Sequence, residues 1–166
     1  MKPSPFHGRF VRVGRRYQTG VGLIEVLVAV LVLSIGFLGV AALQARSMST
    51  NNSAMVRSMA TIASYSILDA IRLDVSSAVS GAYNKTMKGN ACGTAGSTLA
   101  SQQLYQWCNT ELLPIGQGAS TTVGIISCSA ASGTTTAACT VTIQFDDSRA
   151  GDAGSSGSSI VTRAIL

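Results

Sequence analysis

The sequence is poor in the residues on which catalysis usually depends. His7 is its one histidine, so the chain has none beyond Gly20. Without histidine, neither a Ser/His/Asp triad nor a Cys/His pair can form in that part of the chain. The sequence also lacks a Gly-x-x-x-x-Gly-Lys phosphate loop, and its scattered carboxylates show no pairing of the glycosidase kind. We therefore expect a protein that is not an enzyme and that holds no cofactor.

Metal and nucleic-acid sites are also poorly supported by the sequence. The four cysteines include no Cys-x-x-Cys pair and no histidine lies near them, so a metal site is disfavoured. Aromatic residues make up only 5% of the chain, whereas nucleic-acid binding needs a basic patch with exposed aromatics. Lys85 and Lys88 beside Tyr83 are the one hint of such a patch. Nucleic acid is therefore not the expected partner.

What the sequence does contain is one long apolar run near its start. From Val21 to Ala45, 25 positions are apolar or small apart from Glu25 and Gln44. The run predicts a membrane-spanning helix, since 25 residues at 1.5 Å each reach about 37 Å and a hydrocarbon core is about 30 Å thick. A carboxylate inside such a segment is costly unless it is paired. Glu25 is therefore a candidate functional residue.

The net charge of +5 comes from the segment that precedes the apolar run. The first 20 residues contain no acid and five basic residues, namely Lys2, Arg9, Arg12, Arg15 and Arg16. Beyond Gly20, seven basic residues are balanced by seven acids. Positive residues before a spanning segment hold that end in the cytoplasm, so the C-terminal part is predicted to be exported.

Export into an oxidising compartment predicts that the cysteines form disulfides. Four cysteines can pair in three ways. We favour Cys92–Cys108 and Cys128–Cys139, because these pairs close short local loops of 16 and 11 residues. Each disulfide would contribute on the order of 3 kcal/mol to a small domain by the loop-entropy model.

The start of the apolar run carries a family resemblance. The stretch GVGLIE, residues 20–25, followed by VLVAVLVLSIGFLGVAALQ, resembles the class III signal of type IV pilins and pseudopilins. The resemblance implies that a prepilin peptidase cuts between Gly20 and Val21 and that Val21 becomes the methylated N-terminus. Glu25 is then the fifth residue of the mature chain, where the family has a glutamate, whereas a cut after Gly22 would make it the third. The family usually begins its mature chain with phenylalanine, and this chain has Val21.

In particular, the run LIEVLVAVLVLSIGFLGVAALQ resembles the PilV-type minor pilins, also called type IV pilus modification proteins. Two later stretches are similar to this group: the spacing Trp107…Leu112-Leu113-Pro114-x-Gly116, and TVTIQFDD, with Phe145 where tryptophan is usual. The resemblance implies an α+β type IV pilin fold, with a long N-terminal helix packed on a small C-terminal antiparallel β-sheet. The first half of that helix is the membrane-spanning part.

The resemblance also implies a function. The protein would be a minor pilin in a priming or tip complex that promotes pilus assembly, adhesion and twitching motility. It would cross the inner membrane once, with its C-terminal domain in the periplasm, and later enter the pilus at the cell surface. Its partners would be the prepilin peptidase, the inner-membrane assembly platform, other minor pilins and the major pilin. In the helical bundle, the Glu25 carboxylate would pair with the ammonium of an N-terminus.

Two alternatives remain open from the sequence. A minor pseudopilin of a type II secretion system carries the same signal. A binding module at a pilus tip, for DNA or a surface, belongs to a different functional class.

The chain is expected to comprise four segments. They are a cleaved leader over residues 1–20, a transmembrane and assembly helix over 21–45, the amphipathic second half of that helix over 46–83, and a globular domain over 84–166. Two apolar stripes at helical spacing are predicted to pack on the domain, and Gly81 is predicted to end the helix. The stripes are Met48, Met55, Met59 and Ile62, and then Leu68, Ile71, Val75 and Val79.

Within the globular domain, residues 84–96 are predicted to form a loop. Ser97 and Thr98 are predicted to cap a short helix that Pro114 stops. Strands are expected over residues 121–128, 139–145 and 160–166. Residues 146–159 are rich in Asp, Ser and Gly and predict a solvated loop, since their three aspartates match no calcium-binding spacing.

Overall fold

The computed structural model describes residues 20–115, 120–131, 135–148 and 156–166. The predicted leader up to residue 19, Gly116 and residues 149–155 of the loop predicted over residues 146–159 lie outside the described residues. The chain divides into two compact units, residues 1–41 and residues 42–166.

Helix α1, Leu23–Arg72, contains the apolar run. No proline interrupts it, and its two glycines, Gly36 and Gly39, lie in the apolar part without breaking the helix. The helix begins where the Glu25 and Val26 N–H groups donate to the Gly22 carbonyl, at 2.9 and 3.3 Å. Every residue from Gly20 to Met48 is exposed.

The helical part of the chain ends in two steps. The prediction of one continuous helix up to Gly81 is therefore wrong. At the end of α1, the N–H groups of Leu73 and Asp74 bond to carbonyls three residues back, which tightens the last turn. Asp74 then leaves the helical conformation, with φ −143° and ψ 54°. Its carboxylate accepts a hydrogen bond from the Tyr83 hydroxyl at 3.3 Å.

A second short helix, α2 (Val75–Val79), follows the break. It ends where Gly81 N–H bonds to Ala78 O and Ala82 N–H to Ser77 O, which is the Schellman pattern. This pattern needs a left-handed residue after the helix, and Gly81 supplies it at φ 82°. The prediction that Gly81 ends the helical segment is confirmed.

The sheet has four antiparallel strands in the order β1-β2-β3-β4. They are β1 (Lys85–Lys88), β2 (Val123–Ala130), β3 (Ala137–Phe145) and β4 (Ser158–Ile165). The three later strands lie where the sequence predicts them. Strand β1 falls in the predicted loop, which is a correction: Met87 is buried between exposed neighbours and pairs with Gly124 of β2.

Between β1 and β2, helix α3 (Leu99–Trp107) begins at a capping box. Thr98 Oγ1 accepts from Ser101 N–H, and Ser101 Oγ accepts from Thr98 N–H, both at 3.2 Å. The helix continues as one π-helical turn, Cys108–Leu112, in which Leu113 N–H reaches the Cys108 carbonyl at 3.1 Å. Pro114 follows that turn, as predicted.

The core lies between the sheet, α3 and the second part of α1. Strand β3 buries every second residue: Ala137, Cys139, Val141, Ile143 and Phe145. The α1 residues buried in unit 42–166 are Ser53, Val56, Ala60, Ala63, Ser64, Ile67, Leu68 and Ile71. The first predicted stripe is thus wrong at Met48, Met55 and Ile62, which are exposed, whereas Met59 is partly buried against the core as predicted. The packing face combines small residues with Val56, Ile67, Leu68 and Ile71, and Trp107 donates a hydrogen bond to the Ala63 carbonyl at 2.8 Å.

These elements confirm the predicted fold class. A long apolar N-terminal helix packs on a small four-stranded antiparallel sheet, in the α+β layout of a type IV pilin.

Candidate assembly site

The predicted cleavage point lies just before α1. Gly20, Val21 and Gly22 are exposed and non-helical, and the helix begins at Leu23. A peptidase must bind its substrate in an extended form, because a helical peptide bond is shielded by its own turn. The backbone around Gly20–Val21 is therefore accessible to such an enzyme.

Glu25 lies in the first turn of α1 and is exposed. A negative charge there is favoured by the partial positive charge of the helix N-terminus, by about 0.3–1 kcal/mol. Within the part of the chain that the structure describes, the ion pairs are Arg57–Asp147 and Arg72–Asp69. Glu25 therefore has no cationic partner among the described residues, and its carboxylate is open to one from outside the folded chain.

The apolar side chains around Glu25 point outward on all faces of the helix. An 18-residue window of α1 has a mean hydropathy of 2.8 and none of its residues is buried. The helix is long and apolar enough to cross a membrane. A helix that is apolar all round needs a lipid or protein environment to cover it.

Both cysteine pairs that the sequence analysis favours are disulfides in the structure. Cys92–Cys108 joins the segment after β1 to the end of α3, with Cα atoms 5.5 Å apart. Cys128 and Cys139 are directly opposite each other on β2 and β3, with Cα atoms 4.1 Å apart. In the described residues, no group of three or more His, Cys, Asp or Glu side chains could hold a metal ion.

Asp147 is a site residue that the sequence analysis assigned to a solvated loop, and that assignment is wrong. Its side chain is only 2% exposed. Its Oδ2 atom accepts from Ser53 Oγ at 2.5 Å and lies 3.4 Å from an Arg57 nitrogen. The carboxylate thus fastens the end of β3 to α1. The sequence did indicate this burial, because Asp147 continues the alternation by which the side chains of Val141, Ile143 and Phe145 point into the core.

The structure gives no support to a nucleic-acid-binding patch at Tyr83, Lys85 and Lys88. Lys85 and Lys88 are exposed, but Tyr83 is fully buried and cannot stack on a base. Its hydroxyl lies near Asp74 Oδ2 and Gln103 Oε1. Burial, and then the negative charge and hydrogen bond of Asp74, raise the pKa of Tyr83 to about 12.

Comparison with known proteins supports the interpretation of this segment. Residues 15–41 match the family model described as the prokaryotic N-terminal methylation motif. No curated protein and no solved structure matches the chain. The motif, together with the long apolar helix and the four-stranded sheet, supports a protein of the type IV pilin family, pilin-like or pseudopilin-like. Proteins with this motif are structural subunits that a prepilin peptidase processes and that assemble with other pilins, and the leader and helix suggest membrane anchoring.

Proposed function

We propose that this chain is a PilV-type minor pilin of a bacterial type IV pilus, with a structural role in a priming or tip complex. The observation that carries the proposal is the position of Glu25. It lies five residues after Gly20, inside the matched methylation motif and in the first turn of an apolar helix. In this role the protein promotes pilus assembly and, through the pilus, adhesion and twitching motility.

The assembly step follows from the cost of the Glu25 charge. Cleavage between Gly20 and Val21 creates an ammonium four residues before Glu25, and methylation of Val21 leaves that nitrogen able to carry charge. In an apolar helical bundle, the unpaired carboxylate costs several kcal/mol, whereas a carboxylate paired with the ammonium of its own or a neighbouring subunit does not. The pairing sets the axial position of each subunit as it joins.

The proposed location follows the charge asymmetry of the sequence. The basic leader holds the N-terminal end in the cytoplasm, and α1 crosses the inner membrane once. The domain from about residue 46 onward lies in the periplasm, where both disulfides form, until the subunit enters the pilus. Its partners are the prepilin peptidase, the assembly platform, other minor pilins and the major pilin.

Substitution of Glu25 tests the proposal. We expect Glu25→Ala to be cleaved after Gly20 at the normal rate, because the peptidase acts on the Gly20–Val21 bond. Its incorporation into sheared pili should fall at least tenfold, since about 1.4 kcal/mol corresponds to each factor of ten. Glu111→Ala, which removes a carboxylate from the π-helical turn of the folded domain, is the matched control. Normal incorporation of the Glu25 variant would contradict the assembly role.

A minor pseudopilin remains the second candidate, because the methylation motif is common to both systems. Deletion of the gene separates the two. Loss of surface pili with normal protein secretion supports the pilus, and the reverse result supports the secretion system.

A further inference from the structure

The face of the sheet opposite the core carries hydroxyl groups and positive charge but no acid. Its side chains alternate along each strand with the buried ones, which on β3 include Cys139, Val141 and Ile143. No aspartate or glutamate occurs in any of the four strands. The cations of this outer face are Lys88 on β1 and Arg163 on β4, which are the two edge strands. The four strands therefore give the outer face no negative charge to balance these cations.

A recess of about 520 Å³ lies in the outer face beside Arg163. Its volume falls within the range of about 300–1,000 Å³ that is usual for sites that bind small molecules. Arg163 and Ile165 are the long side chains that line it, and the others are small, among them Ser127, Ser129 and Thr140. Ile165 is 75% exposed, so the recess has an apolar wall as well as polar groups. We call this site the Arg163 recess.

The strand register places the polar groups of the recess in one row. Ser127 is directly opposite Thr140 on β3, and Thr140 is directly opposite Arg163 on β4. Ala137 and Leu166 exchange both of their backbone hydrogen bonds, at 2.9 and 2.8 Å, and such pairs alternate in an antiparallel ladder with pairs that exchange none. Thr140 and Arg163 form a pair of the second kind, in which the Cα atoms are only about 4.5 Å apart and the side chains lie close together. The Thr140 hydroxyl and the Arg163 side chain are therefore neighbours.

The polar side chains of the recess are not engaged by the rest of the described chain. Among the described residues, the Arg163 guanidinium has no ion pair and no hydrogen bond. The hydroxyls of Ser127, Ser129 and Thr140 likewise bond to none of the residues that the structure describes. A guanidinium offers five N–H donors in a planar fork, and a hydroxyl both donates and accepts. The recess thus presents a cation beside three hydroxyls, all of them open to a ligand.

We propose that the Arg163 recess binds a hexuronic acid unit of an anionic polysaccharide, that is, a pyranose ring that carries a carboxylate. The carboxylate accepts paired hydrogen bonds from the Arg163 guanidinium. The hydroxyls of Thr140 and Ser127 bond to the ring hydroxyls, and the apolar side of the ring lies against Ile165. This site goes beyond the proposed pilus role, which depends on Glu25 and not on the sheet.

The chemistry of the recess favours this ligand over other anions. A single guanidinium matches the single charge and the planar geometry of a carboxylate. Phosphate groups are commonly held by the backbone N–H groups of a helix N-terminus or a nest, which the face of a sheet does not offer. An acidic peptide side chain would use the guanidinium and leave the three hydroxyls and the apolar wall without a partner. A sugar acid has a group for each of them.

Matched pairs of sugars test the proposal. Glucuronic, galacturonic and mannuronic acid are compared with glucose, galactose and mannose, in which a hydroxymethyl group replaces the carboxylate. Saturation-transfer NMR on the full chain, in a detergent without a sugar headgroup, measures binding, with acetate and phosphate as competitors. We expect at least one acid to bind with a dissociation constant below about 10 mM, and about tenfold more tightly than its neutral counterpart and than acetate.

Three results with these sugars would overturn the proposal. They are no binding of any of the three acids, equal binding of an acid and its neutral counterpart, and equal affinity for acetate or phosphate, which would indicate a site for small anions only. None of these results bears on the pilus role, since that role is tested through Glu25.

Substitutions show whether the acid binds in the recess. We expect Arg163→Gln to weaken binding about tenfold, because a charge-assisted hydrogen bond is lost, and Thr140→Val to weaken it about threefold, because the side chain keeps its shape without the hydroxyl. Lys88→Gln is the matched control, since it removes a cation from the same face at the other edge of the sheet. Unfolding midpoints of the variants check that the fold is retained. Unchanged binding by Arg163→Gln, or an equal loss with Lys88→Gln, would contradict the proposal.

Discussion

Asp147 accepts a hydrogen bond from Ser53 Oγ at 2.5 Å, across 94 residues of sequence. The contact joins the end of β3 to the second part of α1. Arg57, whose side chain is 47% exposed, forms an ion pair with the same Asp147 carboxylate. The domain is therefore fastened to its helix by a buried carboxylate as well as by apolar packing.

Removing the Ser53 hydroxyl should lower the free energy of unfolding more than removing the Arg57 guanidinium. Ser53→Ala leaves part of the buried carboxylate unsatisfied, and we expect it to lower the free energy of unfolding by about 1–3 kcal/mol. Arg57→Ala should lower it by less than about 1 kcal/mol, because the pair is partly screened by water. Urea unfolding of the full chain in detergent, followed by fluorescence of the single tryptophan, measures both. Equal effects of the two substitutions, or a larger effect of Arg57→Ala, would contradict this ranking.

Gly124 is expected to be the least replaceable glycine of the sheet. A Cβ atom there would lie 2.6 Å from Trp107 Cη2 and 2.7 Å from Leu112 Cδ1. Gly124→Ala should therefore destabilise the domain by about 1–3 kcal/mol through overpacking. Gly157→Ala is the control, since its Cβ would meet nothing within 4 Å. The same urea experiment compares the two, and equal midpoints would contradict the close contact.

Tyr83 should make stability depend on alkaline pH. Because its pKa is raised from 10.0 to about 12 in the folded protein, the unfolded state loses the proton first as pH rises. The stabilisation is thus fully present below pH 10 and is lost as pH rises towards 12. Tyr83→Phe, which has no proton to lose, should remove this part of the pH dependence. Unfolding curves between pH 8 and 11 test the difference, and parallel pH profiles of both proteins would contradict it.

The two disulfides should be reduced in order. Cys128 and Cys139 are both buried, whereas Cys92 is only partly buried and offers a sulfur to an incoming thiolate. We expect limited reduction of the folded protein, followed by alkylation and peptide mass analysis, to label Cys92 and Cys108 first. Simultaneous labelling of all four cysteines would indicate that reduction proceeds through global unfolding.

The sequence predicted most of the fold because its strongest signals are local. The apolar run, the Thr98 cap, the Gly81 terminator and the alternation of β3 each specify structure within a few residues. The errors arose where a distant contact decides. Met48 and Met55 are exposed whereas Met59 is partly buried, because burial along α1 depends on where the sheet and α3 pack, and the helix is interrupted at Asp74, whose carboxylate accepts a hydrogen bond from Tyr83.

The candidate site residues divide in the same way. Gly20, Val21 and Glu25 are proposed from a contiguous motif that residues 15–41 match, so that proposal needs only the sequence. The burial of Asp147 depends on where α1 lies against the sheet, and periodicity alone gives only the direction of its side chain. Strand β1 was missed because its four residues include two lysines and one apolar side chain, too little for a strand pattern.

The meander order of the strands has a consequence for the growing or translocating chain. Each strand pairs with the strand that follows it in sequence, so each pairing can form as soon as the later strand has emerged. The sheet can therefore assemble in the order in which its strands emerge, and the long-range step is the docking of α1 through Ala63 and Ser53. If α1 is held in a membrane, as we propose, the sheet can in this way be completed before the second part of α1 packs on it.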